Sequence, residues 1–521
     1  MSLLRHASAV AALTLASRVL GFVRDAAVAA LFGAGVVGDA AVAGLAIPQI
    51  ARRLLGEAAL NGAIVPGLVA AERAEGAVQA RAVAGATLAL TVMAATGLAM
   101  LLFLFMPQAV RVLAPGFDAG GERLDGAVLV GRLAVVCLPL MAAAGVLSAL
   151  ANASGRMRLP AASPVVGNIA VLIVLTALAV HLADLTGQAT TTGGTALGWL
   201  ALASVVGAAA QLAVMVFAVS SCRLAPSRFG REALARARPI LAAAAPSLLA
   251  AALPQLRFLI AGAAASGAVG GVAALFYASR LVELPLGVIG ASAGAVLLPA
   301  LAARVRDAEE GAPVWRGMEA TLALALPAAL GLAVLAGPIV TLLFGRGAFD
   351  VSAVDLTATA LIFLALSLPL QAAEKILAAL AFAHGHRRLA TLAGLAALLV
   401  GGIAGFALSP VMGVAGPALG VLASSLAGLL GLGYGLVRHH HLSLDLSALR
   451  RARMLACATM VMTMVVAFLA HFLAETLAAG GLGGVAALAG IIAAGMAVYA
   501  AAAFRFGALD RKALSAALRR G

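Results

Sequence analysis

The sequence predicts an all-α polytopic membrane protein of about 14 transmembrane helices, built as two pseudo-symmetric six-helix lobes plus two C-terminal helices. Three observations carry that reading. Of 521 residues, 63% are hydrophobic and 11% charged, where a soluble domain is roughly half apolar and about a quarter charged. The apolar residues gather in long stretches bounded by charge, Gly or Pro, each sufficient for the ~20 residues that cross a bilayer as a helix. The basic residues sort to one side of those stretches, as cytoplasmic loops require. A water-soluble globule is excluded, and the net charge of +14 reads as arginine held at the cytoplasmic face and not as a nucleic-acid surface.

In chain order the stretches are 7–32, 36–70, 83–106, 127–151, 160–183, 195–219, 239–264, 269–303, 318–343, 353–382, 389–408, 412–437, 454–474 and 482–504. The first is interrupted by Arg18, Arg24 and Asp25 and has no small-residue cleavage site, so it is expected to be a retained membrane helix and not a cleaved signal. An even count puts both termini on one side. With the N-terminus in the cytoplasm, 24 of the 35 basic residues fall in cytoplasmic loops and tails, against only Arg111, Arg123 and Arg346 opposite. The remaining eight lie within stretches: Arg18, Arg24, Arg52, Arg53, Arg132, Arg257, Arg280 and Lys375. Cys137, Cys222 and Cys457 are far apart and form no metal or redox spacing.

An ungapped offset of 233 residues lays 33–41 over 266–274, Val65-Pro66 over Leu298-Pro299, and Arg24 over Arg257. A parallel internal repeat follows, of the kind found in transporters that bind cargo between lobes. The expected organisation is an N-lobe over 1–222, a C-lobe over 223–438, and a C-terminal helix pair with a cytoplasmic tail over 439–521.

A charge at mid-bilayer costs roughly 2.5–3.5 kcal/mol on insertion scales, so Arg18, Arg24, Arg52 and Arg280 would together cost about 10–14 kcal/mol if all sat deep. Snorkelling reduces the figure for a residue near a helix end. Spacing suggests local neutralisation of Arg18 by Asp25, Arg53 by Glu57 and Arg280 by Glu283, and leaves Arg24 and Arg52 without an obvious partner. A guanidinium fork suits phosphate, which makes phosphate- or pyrophosphate-bearing cargo the expected ligand. Pro48, Pro285, Gly33 and Gly35 are candidate hinges.

Ser17-Arg18-Val19-Leu20-Gly21-Phe22-Val23-Arg24-Asp25, Phe32 to Gly35 with Asp39, Pro48 to Arg53 with Glu57, Leu113 to Phe117, Tyr277 to Pro285 and Phe344 to Phe349 resemble, in the right order, segments of the MurJ (MviN) lipid II flippases. That family belongs to the multidrug/oligosaccharidyl-lipid/polysaccharide exporter superfamily. The resemblance implies that Arg18, Arg24, Arg52 and Arg280 line a cavity and contact the pyrophosphate of lipid II, that Asp39 matters in the second helix, and that the last two helices border a groove for the polyprenyl tail. Arg53, Glu57, Glu283 and Arg257 complete the candidate set. Arg257 is a departure from the family pattern, either an extra cavity cation or a partner for a lipid headgroup. Residues 389–408 hold neither Asn nor Asp, which puts sodium coupling of the kind ascribed to some relatives in doubt.

The expectation is therefore a monomeric lipid II flippase of the bacterial inner membrane, with both termini cytoplasmic. Lipid II and membrane lipids are its partners, peptidoglycan synthases are carried as further ones, and no nucleic acid, cofactor or metal is invoked. No P-loop is present, since Lys375 follows Glu374 and Lys512 follows Arg511, so the energy is expected from a gradient or from removal of the cargo. The histidines of 384–386 and 439–441 read as solvated basic loops, and no catalytic constellation marks an enzyme. The competing readings are a flippase for another polyprenyl-linked glycan, a cation-coupled drug antiporter of the same superfamily, and a scaffold that recruits wall-synthesis enzymes.

Overall fold

The computed structural model describes residues 2–55, 58–184, 193–304, 312–439, 442 and 445–508. Their regular structure is helical throughout, in two compact units, Met1–Leu259 and Ile260–Gly521.

The first unit opens with α1 (Ser2–Phe32) and α2 (Val36–Leu55). The long α3 (Ala58–Leu104) is two helices joined at Gly76, whose φ of 84° and ψ of 171° interrupt the ladder between the second and third apolar stretches. A short α4 (Met106–Leu113) leads to α5 (Glu122–Ala134) and α6 (Cys137–Ala153), then α7 (Arg158–Asp184), α8 (Gly193–Ser220) and α9 (Arg231–Ala265), within which the division between units falls. The second unit holds α10 (Gly271–Arg304), α11 (Ala312–Val334), the short α12 (Ala336–Phe344), α13 (Val351–Leu366), α14 (Leu368–Ala383), α15 (Arg387–Met412) and α16 (Ala415–Arg438). It closes with α17 (Leu446–Phe472), α18 (Ala474–Ala479) and α19 (Gly481–Arg505).

Each of the 14 apolar stretches falls mostly on helix among the described residues. Among the described residues, eight single helices are long and apolar enough to cross a membrane, and two bent pairs bring the number to ten. Those pairs, α5 with α6 and α13 with α14, each turn by 42°. Their cause is legible: Leu138-Pro139-Leu140 and Leu368-Pro369-Leu370 sit at matching places just after the break, and proline can neither donate to the ladder nor clear the carbonyl four residues back. A long helix, a short helix, a bent pair and two long helices thus follow one another in both units.

The turn from α1 to α2 and that from α9 to α10 carry the same signature. A Cβ on Gly38 would run into the carbonyl oxygen of Gly33, and one on Gly271, 233 residues later, into that of Ala265. Both turns are therefore closed by a glycine at the start of the second helix. This supports the offset found in the sequence.

In the first unit α7 packs on α1 and α8, α3 on α6, and α2 on α5. Ile64 and Leu68 of α3, Leu150 of α6, Met215 of α8 and Ala237 of α9 share one buried cluster. In the second unit α15 lies along α16, α11 packs on α17, and α17 on α19. Lipid tails are as apolar as leucine, so contacts between such helices depend on close van der Waals approach. Gly420 of α16 supplies it: its Cβ would sit 2.6 Å from the carbonyl oxygen of Gly401 on α15. Large apolar side chains such as Ile173, Phe217, Ile403 and Phe468 stand exposed on the outer helix faces.

At the ends of the helices several basic residues are tied down. Arg223 pairs with Glu72 at 3.1 Å, Arg236 with Glu75 and Glu232, and Arg451 with Glu319 at 2.7 Å.

Candidate substrate-binding site

Arg24 projects from the C-terminal half of α1. Its Nε and Nη2 donate to Asp25 Oδ1 at 3.0 and 2.7 Å, and its Nη1 donates to Asn168 Oδ1 of α7 at 3.1 Å. Asn168 is buried, and its Nδ2 donates to the carbonyl of Ser17 at 3.1 Å. One amide thus ties the arginine to the helix that carries it. A guanidinium has five N–H donors, and three serve these bonds.

Two sequence expectations are corrected here. Asp25 is taken by Arg24, its neighbour in sequence, whereas Arg18 is exposed on α1. Seven residues are two helical turns, about 10 Å of rise, farther than the adjacent side chain must reach. Nor does Arg24 lack a partner. One of its two partners comes from another helix, where spacing along α1 cannot reveal it.

Arg53, on α2, donates from Nη1 to Gln255 Oε1 of α9 at 2.6 Å. Glu57, the partner expected from spacing, and the side chain of Arg52 lie outside the described residues. Arg257 is half-buried on α9, two residues beyond Gln255. In the second unit the expected pair is formed: Arg280 Nη1 meets Glu283 Oε2 at 2.9 Å, and the guanidinium carbon stands 4.5 Å from the Phe276 ring centroid. A carboxylate on one edge and an aromatic face below orient the fork.

Of the hinge candidates, Gly33 has φ of 66° in the α1–α2 turn and Gly35 follows it, while Pro48 and Pro285 lie inside the continuous helices α2 and α10.

Asp39 is fully buried on α2, and its partner was not expected. Arg123, which the topology places in an outer loop, lies on α5, buried, with Nη1 3.6 Å from Asp39 Oδ2. Asn168 was also missed. Each had a signal: Asn168 is a lone amide in the fifth apolar stretch, and Arg123 is one of three basic residues on the sparsely basic side.

The family model described as lipid II flippase MurJ matches residues 28–483. A Rhizobium tropici protein named probable lipid II flippase MurJ is 31% identical over 520 residues, covering 98% of this chain and 95% of its own. A Burkholderia cenocepacia protein named lipid II flippase MurJ is 28% identical over 429 residues, covering 81% of each. Among solved structures, one titled lipid II flippase MurJ, inward closed conformation, superposes with a TM-score of 0.75 at 18% identity, covering 95% of this chain and 98% of that one. An inward-facing multidrug resistance MATE family transporter of the MOP superfamily gives 0.66 at 16% identity, covering 81% and 94%. The structures show the shared fold, the sequence matches show the lineage, and this chain belongs to the lipid II flippase MurJ family.

Proposed function

We propose that this chain is a lipid II flippase. It moves the undecaprenyl-pyrophosphate-linked peptidoglycan precursor from the cytoplasmic to the outer leaflet of the bacterial inner membrane by alternating access. The match to the MurJ family over residues 28–483 carries the reading, and the arginine geometry supplies its chemistry.

Arg24 and Arg280 are each oriented by a nearby carboxylate, Asp25 and Glu283, that a phosphate can displace. Phosphate oxygens accept two parallel charge-assisted hydrogen bonds from such a fork. Arg18, Arg52, Arg53 and Arg257 add positive charge, and Asp25 and Glu283 compete with the ligand and favour its release. Residues 1–222 and 223–438 act as the two moving lobes, Gly33, Gly35, Pro48 and Pro285 as hinge positions, and the helices of 439–521 accommodate the polyprenyl tail. The chain works as a monomer with both termini in the cytoplasm, beside peptidoglycan synthases that use its product.

The energy comes from the membrane potential. With the cytoplasm negative, outward movement of an anion gains about 2.3 kcal/mol per elementary charge per 100 mV. In vesicles with a clamped potential, export rises with inside-negative voltage; a rate indifferent to voltage contradicts that drive. Purified protein binds a polyprenyl pyrophosphate and loses it in R24A or R280A. Equal binding by both variants contradicts the assigned site.

A further inference from the structure

A buried ion pair, Asp39 with Arg123, joins α2 and α5 at the α1–α2 end of the first unit. Arg123 stands between two carboxylates of opposite exposure: Asp39 Oδ2 at 3.6 Å, fully buried, and Asp118 Oδ2 at 3.8 Å, 89% exposed. Its Nη2 also donates to the carbonyl of Gly116 at 3.2 Å, and its guanidinium carbon lies 4.7 Å from the Phe117 ring centroid. Neither carboxylate is at the 2.7–2.9 Å of a close charge-assisted bond. Both are within reach of one side chain.

The second unit supplies a control. There α10 meets the α12–α13 connection through Tyr277, Phe344 and Phe349, with Tyr277 ring centroids 5.3 and 5.5 Å from the other two. All three rings are buried. Ring packing of this kind is fixed by shape, whereas a cation within reach of two anions has two arrangements, the requirement for a bistable element.

We propose that Asp39 and Arg123 form a latch between α2 and α5 that opens in each transport cycle, with Arg123 as a positioning residue that passes from Asp39 to Asp118. The proposal rests on the flippase reading for the cycle in which the latch moves. When closed, it fixes the α1–α2 turn, and with it the helix that carries Arg24. When open, it lets α2 shift against α5.

The seam can be locked to test this. An ideal Cβ on Gly126 of α5 lies 2.9 Å from the Ala40 Cβ of α2, and a disulfide needs about 3.5–4.5 Å between Cβ atoms, so a small shift accommodates A40C/G126C. Full-length protein carries this pair with Cys137, Cys222 and Cys457 replaced by alanine. The reduced double variant supports growth of a flippase-depleted strain; oxidation cuts lipid II export by about tenfold or more, and reductant restores it. Disulfide formation is slower in R123A, whose seam is unlatched, and R123K restores the rate.

Unchanged export after complete oxidation overturns the latch, because α2 and α5 would then never need to part. Equal cross-linking rates with and without Arg123 overturn its positioning role. Cross-linking rates need no cargo, so if the cysteine-free parent fails to export lipid II, the flippase reading fails and the Arg123 comparison still reads the latch.

Discussion

The two units repeat one order of helices and close it differently. At the α1–α2 end, the first unit sets a buried carboxylate, an arginine and Phe117; at the matching place, the second sets Tyr277, Phe344 and Phe349. The backbone plan is shared down to the glycine at each turn and the proline at each bend. Duplicated architecture therefore does not repeat its side chains: each unit carries an arginine held by a nearby carboxylate, but at this end the first unit sets an arginine within reach of two carboxylates where the second sets three packed rings.

The largest expected effect tests whether both units share the phosphate. R24A and R280A each abolish complementation of a flippase-depleted strain while immunoblots of membranes show normal levels. Full growth with either one confines binding to the other unit.

Next in size is the packing contrast. F344A in the second unit removes a buried ring from the aromatic cluster, a loss of about 3–5 kcal/mol, read as a lower melting temperature of the purified protein. F117A in the first unit removes a ring that is also buried, so a loss of similar size is expected, with the contact to the Arg123 guanidinium adding about 0.5–2 kcal/mol. A much smaller loss in F117A would show that the first unit packs this end less firmly than the second.

N168A is expected to cost about 1–3 kcal/mol, because it leaves buried groups without hydrogen-bond partners. It weakens polyprenyl pyrophosphate binding through Arg24 while leaving Arg280 in place, so its deficit adds to that of R280A and not to that of R24A. Titration of the purified variants with the lipid checks this.

The smallest effect is acid sensitivity at one helix start. Asp350 caps α13 by accepting from the N–H of Ala353 at 2.8 Å, whereas α5, its counterpart, begins at Gly121 without a side-chain cap. Hydrogen bonds from the Ala353 backbone and then the Ser352 hydroxyl hold the Asp350 carboxyl below its ordinary value of 3.8. A lowered carboxylate contributes stability above the ordinary value that is lost as pH falls through the lowered one. D350N flattens the stability profile of the protein in that acid range, read by thermal melts between about pH 5 and 2; an unaltered profile removes the cap from the comparison.

The fold was legible to a large degree. Periodic charge and the positive-inside bias depend on local composition, so the 14 stretches, their order and the internal repeat could be found without coordinates. Contacts within one helix were legible in part: Arg280 does meet Glu283 three residues on, but Asp25 turned to Arg24 and not to Arg18. Contacts between helices were not legible. Asn168 reaches Arg24 across 144 residues of chain, and Arg123 reaches Asp39 across the α2–α5 seam. No spacing rule encodes which faces of two separate helices meet. The lone polar residues in apolar stretches were the available clue, because each must find a partner that the same stretch does not supply.

The most direct measurement is the amount of lipid II exposed on the outer leaflet of flippase-depleted cells that carry this chain, with the protein present at equal levels as wild type, R24A and R280A. Wild type restores exposure and both variants leave lipid II on the cytoplasmic leaflet. Exposure restored equally by all three, or by none, contradicts a diphosphate carried outward in the grip of these half-buried arginines.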